Sequence, residues 1–248
     1  MADAYHDRGA AYLNLGDHAR AIRDYDRALQ LDPNNVVAYL DRGLTYEELG
    51  KQSRAIGDFD QALRLEPDNS SAYLYRGFAY HSLGEFARAI ADYGAALRHD
   101  PGLALGYKAR AEAYGNIGDH ARSIADYDEA LKLDPEDANV YNERAWELYL
   151  LGRNAAALED VERSLSLDSG NVNAIDTRAH LLTALGRPEE ALVGFERAVQ
   201  VGAEEFVRLY QEALAKHGYY HGAVDGVYGP EVRAALVACL EAGCRLSE

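Results

Sequence analysis

Basic residues are scarce in this sequence, with 25 Lys and Arg against 41 Asp and Glu and a formal net charge of −16. A surface of that sign repels phosphate backbones and anionic head groups, and no basic cluster reverses it locally, which excludes nucleic acid and membrane surfaces as partners. Long hydrophobic runs are also missing. Nothing approaches the ~20 apolar residues a membrane helix needs, so no membrane insertion is expected. Met1 to Tyr5 lack the basic start and apolar stretch of a signal peptide, so an exported form would have had its leader removed. Metal-binding spacings are absent: there is no His-Glu-x-x-His and no paired Cys-x-x-Cys. The nearest approach, His217, His221 and Asp225, straddles a Gly-Tyr-Tyr turn. No glycine-rich phosphate loop follows a strand, and no Ser or Cys nucleophile sits in a catalytic setting. Neither an enzyme, nor a cofactor, nor a metal site is expected.

What is present is periodicity. Nearly half of the 248 residues are apolar, enough for a substantial core. Small residues recur every 34 positions as Gly9, Gly43, Gly77, Ala111, Ala145 and Ala179. A second series runs Gly16, Gly50, Gly84, Gly118, Gly152 and Gly186, and further small residues follow at Ala21 and Ala28 and their equivalents. Pro33, Pro67, Pro101 and Pro135 close the first four units; Ser169 and Ala203 stand where the last two prolines would be. Each feature has a mechanical reason. The first small residue lets the two helices of a unit, A and B, approach closely; the glycine makes the turn between them, where positive φ costs little; the proline ends helix B. An Asn or Asp beside the proline can cap the next helix.

The succession Tyr, Arg-Gly, Tyr, Leu-Gly, Ala-Ile, Asp-Tyr, Ala-Leu, Asp-Pro resembles the tetratricopeptide repeat signature over residues 2 to about 205. The resemblance implies an all-α fold, a right-handed superhelix of six helix-turn-helix repeats (about 2–35, 36–69, 70–103, 104–137, 138–171 and 172–205). It also implies a concave face built from helix A residues, which would hold a protein or peptide. Those places contain Leu40, Leu44, Leu74, Tyr75, Phe78, Lys108, Asn142, Trp146, Tyr149 and His180, and also His6, Asp41, Glu47, His81, Glu112, Asn116 and Asp176. The Lys/Asn/Arg set with which co-chaperone members clamp a peptide carboxylate is not matched.

Two further series belong to the scaffold. Twelve of the tyrosines fall on recurring positions and are read as core. Arg8, Arg42, Arg76, Arg110, Arg144 and Arg178 recur in phase with Asp24, Asp58, Asp92, Asp126 and Asp160, which predicts structural ion pairs. The sixth unit has Gly194 in place of the aspartate, so Arg178 must find another acceptor.

From about residue 206 the pattern changes to Gly218-Tyr219-Tyr220-His221-Gly222 and Asp225-Gly226-Val227-Tyr228-Gly229-Pro230. The segment 206–248 is similar to the peptidoglycan-binding-like domain of bacterial envelope proteins, which implies possible peptidoglycan contact through Tyr219, Tyr220, Asp225 and Tyr228. It can equally be a cap on the last repeat. A helix over roughly 204–216 is expected to take the place of a seventh helix A, making a rigid fusion. A helix from Pro230 ending at Gly243 would put Cys239 and Cys244 at the two ends of a Schellman turn, close enough for a disulfide.

Together these readings predict a non-enzymatic interaction scaffold of the bacterial periplasm or cell envelope. The alternatives are a regulatory or substrate-recruiting part of a larger enzyme, or a cytoplasmic peptide adaptor with a structural tail.

Overall fold

The structure, a computed structural model, describes residues 1–244 and 246. Those described form thirteen α-helices and no strand. Two compact units are present, Met1–Glu129 and Ala130–Glu248.

The first unit holds α1 (Ala2–Asn14), α2 (His18–Leu31), α3 (Val36–Glu48), α4 (Gln52–Leu65), α5 (Ser70–Ser82), α6 (Phe86–His99), α7 (Ala104–Asn116) and most of α8 (His120–Leu133). Asn35 and Asn69 cap α3 and α5, accepting from the amides of Ala38 and Ala72 at 2.9 Å. Each A-to-B turn passes through its glycine at a φ between +68° and +76°, where a side chain would be strained. The small residue earlier in helix A lies directly under an aromatic ring of helix B. A Cβ on Gly43 would meet Phe59 Cε1 at 2.6 Å, and one on Gly77 would meet Tyr93 Cε1 at 2.5 Å. Those rings, with Tyr25, are fully buried.

The recurring tyrosines divide into two groups. Tyr25, Tyr80, Tyr93 and Tyr127 are buried as expected. Tyr5, Tyr12, Tyr39, Tyr46, Tyr73, Tyr107, Tyr114 and Tyr141 are only half-buried. Each of these eight lies under an arginine guanidinium, at 4.6 Å for Arg122 on Tyr114 and 5.7 Å for Arg42 on Tyr39. They act as cation–π platforms at the edge of the core.

The arginine series is structural. Arg8, Arg42, Arg76, Arg110 and Arg144 each bond both oxygens of the aspartate sixteen residues ahead. Arg42 and Arg76 also reach back sixteen residues, to Asp26 at 2.5 Å and Asp60 at 2.6 Å. Arg178, lacking an aspartate ahead, bonds Glu162 behind it at 2.6 Å.

The second unit continues with α9 (Ala138–Leu150), α10 (Asn154–Leu167), α11 (Val172–Ala184), α12 (Pro188–Lys216) and α13 (Pro230–Glu241). The expected break near residue 204 is replaced by unbroken helix, so no linker precedes the tail. Earlier B helices end where an aspartate carboxylate accepts the amide two residues on, as Asp32, Asp100, Asp134 and Asp168 do. The equivalent residue is Gly202, and no proline follows it, so nothing competes with the helical ladder. The helix is nevertheless bent. Phe195 and Tyr210 would be ~22 Å apart along a straight helix, but their ring centroids are 5.3 Å apart. After the bend, Tyr210 meets Asp176, 34 residues earlier, as a seventh helix A would. A single core joins Phe195, Phe206, Tyr210, Leu214, Tyr220, Val232, Leu236 and Cys239.

Candidate functional site

In the first unit, α3, α5 and α7 present their A-helix residues. Leu40, Leu44, Tyr75 and Phe78 are half-buried. Leu40, Leu44 and Tyr75 pack over Phe59 and its neighbours, with the Tyr75 ring 6.0 Å from that of Phe59. Phe78 stands edge-on to Tyr93 at 5.6 Å. Leu74 departs from expectation: it is 4 % exposed and joins the core that includes Tyr80, Tyr93 and Ala109.

The same face carries two carboxylates. Burial pushes Glu47 above the usual carboxylate range, and it does the same to Glu112, only partly offset by the charges of Lys108 and His81. Both carboxylates also act on the Tyr93 phenol, which burial and these charges raise well above its ordinary value. The Asn116 amide stands 3.2 Å from His81 Nε2. Apolar rings and desolvated negative charge thus share one surface, suited to a cation on an apolar stem.

In the second unit, Trp146 and Asn142 are half-buried on α9, and the Asn142 Oδ1 is buried with no hydrogen-bond partner among the described residues. Tyr149 and His180 are 8 % and 7 % exposed, which removes them from a solvent-facing set. Ring stacking within the protein accounts for this. Trp146 lies 5.2 Å from Tyr149 and 5.7 Å from His180, and His180 lies 5.1 Å from Phe195.

The C-terminal loop is held from inside. Gln211, fully buried on α12, donates to Asp225 Oδ1 at 2.8 Å and accepts from the Gly226 amide at 2.9 Å. Asp225 also accepts from the Val227 amide, and these bonds hold its carboxyl below the usual range. Tyr220, expected to face a ligand, is buried; its hydroxyl donates to the Ala223 carbonyl at 2.9 Å. Tyr228 is half-buried, its hydroxyl bonded to Glu196 at 3.4 Å, and burial pushes its pKa up to about 12. Arg233 bonds the same Glu196 oxygen at 2.8 Å, tying α13 to α12. Tyr219 is half-buried against the core. Of the four candidate contact residues only Asp225 is exposed, and its carboxylate is engaged in closing the loop. Gln211 was the residue to find. Its signal was a polar side chain among Val207, Tyr210 and Leu214 on an apolar helix face.

Cys239 and Cys244 form a disulfide with Cα atoms 5.1 Å apart. The Cys244 amide donates to the Cys239 carbonyl at 2.9 Å across Gly243, whose φ is +71°. This is the 6→1 bond of a Schellman turn.

Among the described residues no group of three or more His, Cys, Asp or Glu could hold a metal ion, and no helix is long and apolar enough to cross a membrane. A search of curated proteins found no match. Among solved structures, MamA is 26% identical, with a TM-score of 0.63 over 68% of this chain and 92% of that one. A tetratricopeptide repeat protein from Parabacteroides merdae ATCC 43184 is 18% identical, with a TM-score of 0.77 over 97% and 98%. YrrB, described as a TPR protein with an unusual peptide-binding site, is 17% identical with a TM-score of 0.62 over 71% and 91%. These last two likenesses concern the fold alone. Family models described as "Tetratricopeptide repeat" match residues 9–75, 70–103 and 108–172, and one described as "Putative peptidoglycan binding domain" matches residues 203–238. The helix pairs, their glycine turns and these matches agree in phase: the chain belongs to the tetratricopeptide repeat family and ends in a module resembling the peptidoglycan-binding domain.

Proposed function

We propose that this protein is a non-enzymatic interaction scaffold whose first unit holds a peptide or protein segment bearing Lys or Arg beside apolar residues. The observation that carries this reading is the shared face of Leu40, Leu44, Tyr75 and Phe78 with the desolvated carboxylates Glu47 and Glu112. Half-buried rings supply anchors at modest entropic cost, and buried carboxylates gain more from an incoming cation than solvated ones do. Trp146 and Asn142 form a separate, smaller candidate contact in the second unit. YrrB, a protein of this fold, is described as having a peptide-binding site, which favours the same class of partner here.

The division into six repeats over 1–205 and a module over 206–248 belongs to this proposal, as does a place in the bacterial envelope with peptidoglycan contact. The family match over 203–238 and the Cys239–Cys244 disulfide support it, since disulfides persist in oxidising compartments. The inward bonding of Tyr220, Asp225 and Gln211 favours a second role for the module, as a cap on the last repeat.

The test is a fluorescence titration of the full chain with arrayed peptides that vary charge at fixed apolar content. Basic, aromatic-containing peptides should bind, with loss of at least tenfold in Phe78→Ala and in Glu112→Gln. Equal binding of acidic peptides would sink the charge assignment, and indifference to Phe78→Ala would sink the face itself. Co-sedimentation of the full chain with purified sacculi tests peptidoglycan contact, and no pelleting above a carrier-protein control would end it.

A further inference from the structure

Two arginines of the series, Arg42 and Arg76, hold two carboxylates each, and Arg110, with Gly94 behind it, keeps the one ahead. Arg42 holds Asp58 sixteen residues ahead and Asp26 sixteen behind; Arg76 holds Asp92 and Asp60 in the same way. In the sixth repeat the residue behind is Glu162, bonded to Arg178 Nε, but the residue ahead is Gly194. Among the described residues neither Nη of Arg178 has a hydrogen-bond partner, while Glu190, held by Arg187, is near enough for its charge to act on Arg178. The Arg178 side chain is 32% exposed, against 18% to 22% for Arg42, Arg76, Arg110 and Arg144 and 57% for Arg8 in the first repeat.

The missing aspartate is not replaced by closer packing around the guanidinium. A cavity of ≈ 330 Å³ lies there, lined by Arg178, Arg197, Gly194, Ser169, the Glu162 that Arg178 Nε already neutralises, and the apolar Leu165, Ile175 and Val193. Arg197 bonds the Ser169 carbonyl at 3.3 Å and brings a second guanidinium to the wall. Glycine at 194 also explains why the protein does not fill the site itself. A Cβ there would meet the Ala179 Cβ at 2.9 Å, so an aspartate would have to push α11 and α12 apart.

We propose that this cavity is a binding site for a carboxylate carried on a short apolar group, seated where the aspartate sits in the other repeats. The carboxylate would accept a charge-assisted bond from the free edge of Arg178, with Arg197 nearby, and the apolar group would cover Leu165, Ile175 and Val193. Two sources share that chemistry, the C-terminal residue of a peptide and a free small carboxylic acid. The site is independent of the α3, α5 and α7 face, and its ligand has the opposite charge.

The experiment is an amide-NMR titration of the full chain with N-acetyl-leucine, with N-acetyl-leucinamide, and with a pentapeptide ending in leucine as free acid or amide. The expected result is saturable shifts at residues 175–178 and 193–197 for the acids and none for the amides. A pentapeptide acid binding more tightly than N-acetyl-leucine identifies a peptide C-terminus; the reverse identifies a small acid. Arg178→Gln should weaken binding about tenfold or more, as loss of a charged hydrogen bond does, while the melting curve stays close to that of the parent. Gly194→Asp, which supplies the carboxylate internally, should abolish binding; should its packing fail, Arg178→Gln decides alone. Acid and amide shifting the same residues equally, or undiminished affinity in Arg178→Gln, would overturn the proposal.

Discussion

Asp92 and Asp60 both bond Arg76, yet their removal should have very different consequences. Asp92 takes Nε and Nη2 of the guanidinium at 2.7 Å each, and its side chain is 9% exposed; Asp60 takes Nη1 at 2.6 Å and is 41% exposed. Breaking a buried pair costs ~3–5 kcal/mol because a desolvated charge is left behind. Arg76 retains Asp60 and is itself one-fifth exposed, so Asp92→Ala is expected to cost ~2–3 kcal/mol. Asp60→Ala removes a mostly solvated pair and should cost ~0–1 kcal/mol. With a urea slope near ~2 kcal/mol per molar, the first variant lowers the unfolding midpoint by ~1 M and the second by less than half of that. Far-UV circular dichroism follows the transition. Arg76→Met combined with Asp92→Leu should recover most of the loss, since apolar replacement of both partners removes the stranded charge. Equal midpoints for the two single variants, or no recovery in the double, would refute the assignment of Asp92 as the buried partner.

Glu112→Gln should raise stability at pH 7. Burial lifts this carboxyl above its ordinary 4.5, so ionisation opposes folding, and the gain should vanish as pH falls below that value. Affinity for a basic peptide runs the other way, full above the raised pKa and lost as pH falls through it; pH-resolved titration checks both signs. Reduction of Cys239–Cys244 should lower the melting temperature, the short closed loop being worth ~2 kcal/mol, with two hydrogens gained by mass. Gln211→Ala strips partners from Asp225 and the Gly226 amide and should cost ~1–3 kcal/mol, visible as faster hydrogen exchange at Gly226 and Val227.

The repeat architecture was legible because its determinants are local. Gly16 and its equivalents announce their turns, Asn35 and Asn69 their caps, and the Arg–Asp spacing of sixteen its own pairing. The candidate site was legible only in part. Whether a helix A residue faces solvent depends on which ring the next helix brings to it. His180 is covered by Trp146 and Phe195, and Tyr149 by the same cluster, which no spacing within one repeat could indicate. The tail was legible only in part for a related reason. The resemblance implied possible peptidoglycan contact through Tyr220 and Tyr228, but the bent α12 supplies Gln211 and Glu196 as their partners from well before the loop. That bend was hidden because Gly202 marks it by lacking the turn-forming carboxylate rather than by any residue that breaks a helix.

The reach of Arg42 and Arg76 in both directions has an evolutionary corollary. Because Arg42 and Arg76 bond carboxylates at equal offsets before and after them, excising a block of one period among the first five repeats leaves each surviving arginine with the aspartate ahead of it. Duplicating a block has the same outcome. Unequal crossing-over within such a gene would therefore yield longer and shorter chains with no stranded charge, so copy number could drift under little selective penalty. The sixth repeat, where the forward carboxylate is gone, is where such an array would cease to be freely extendable.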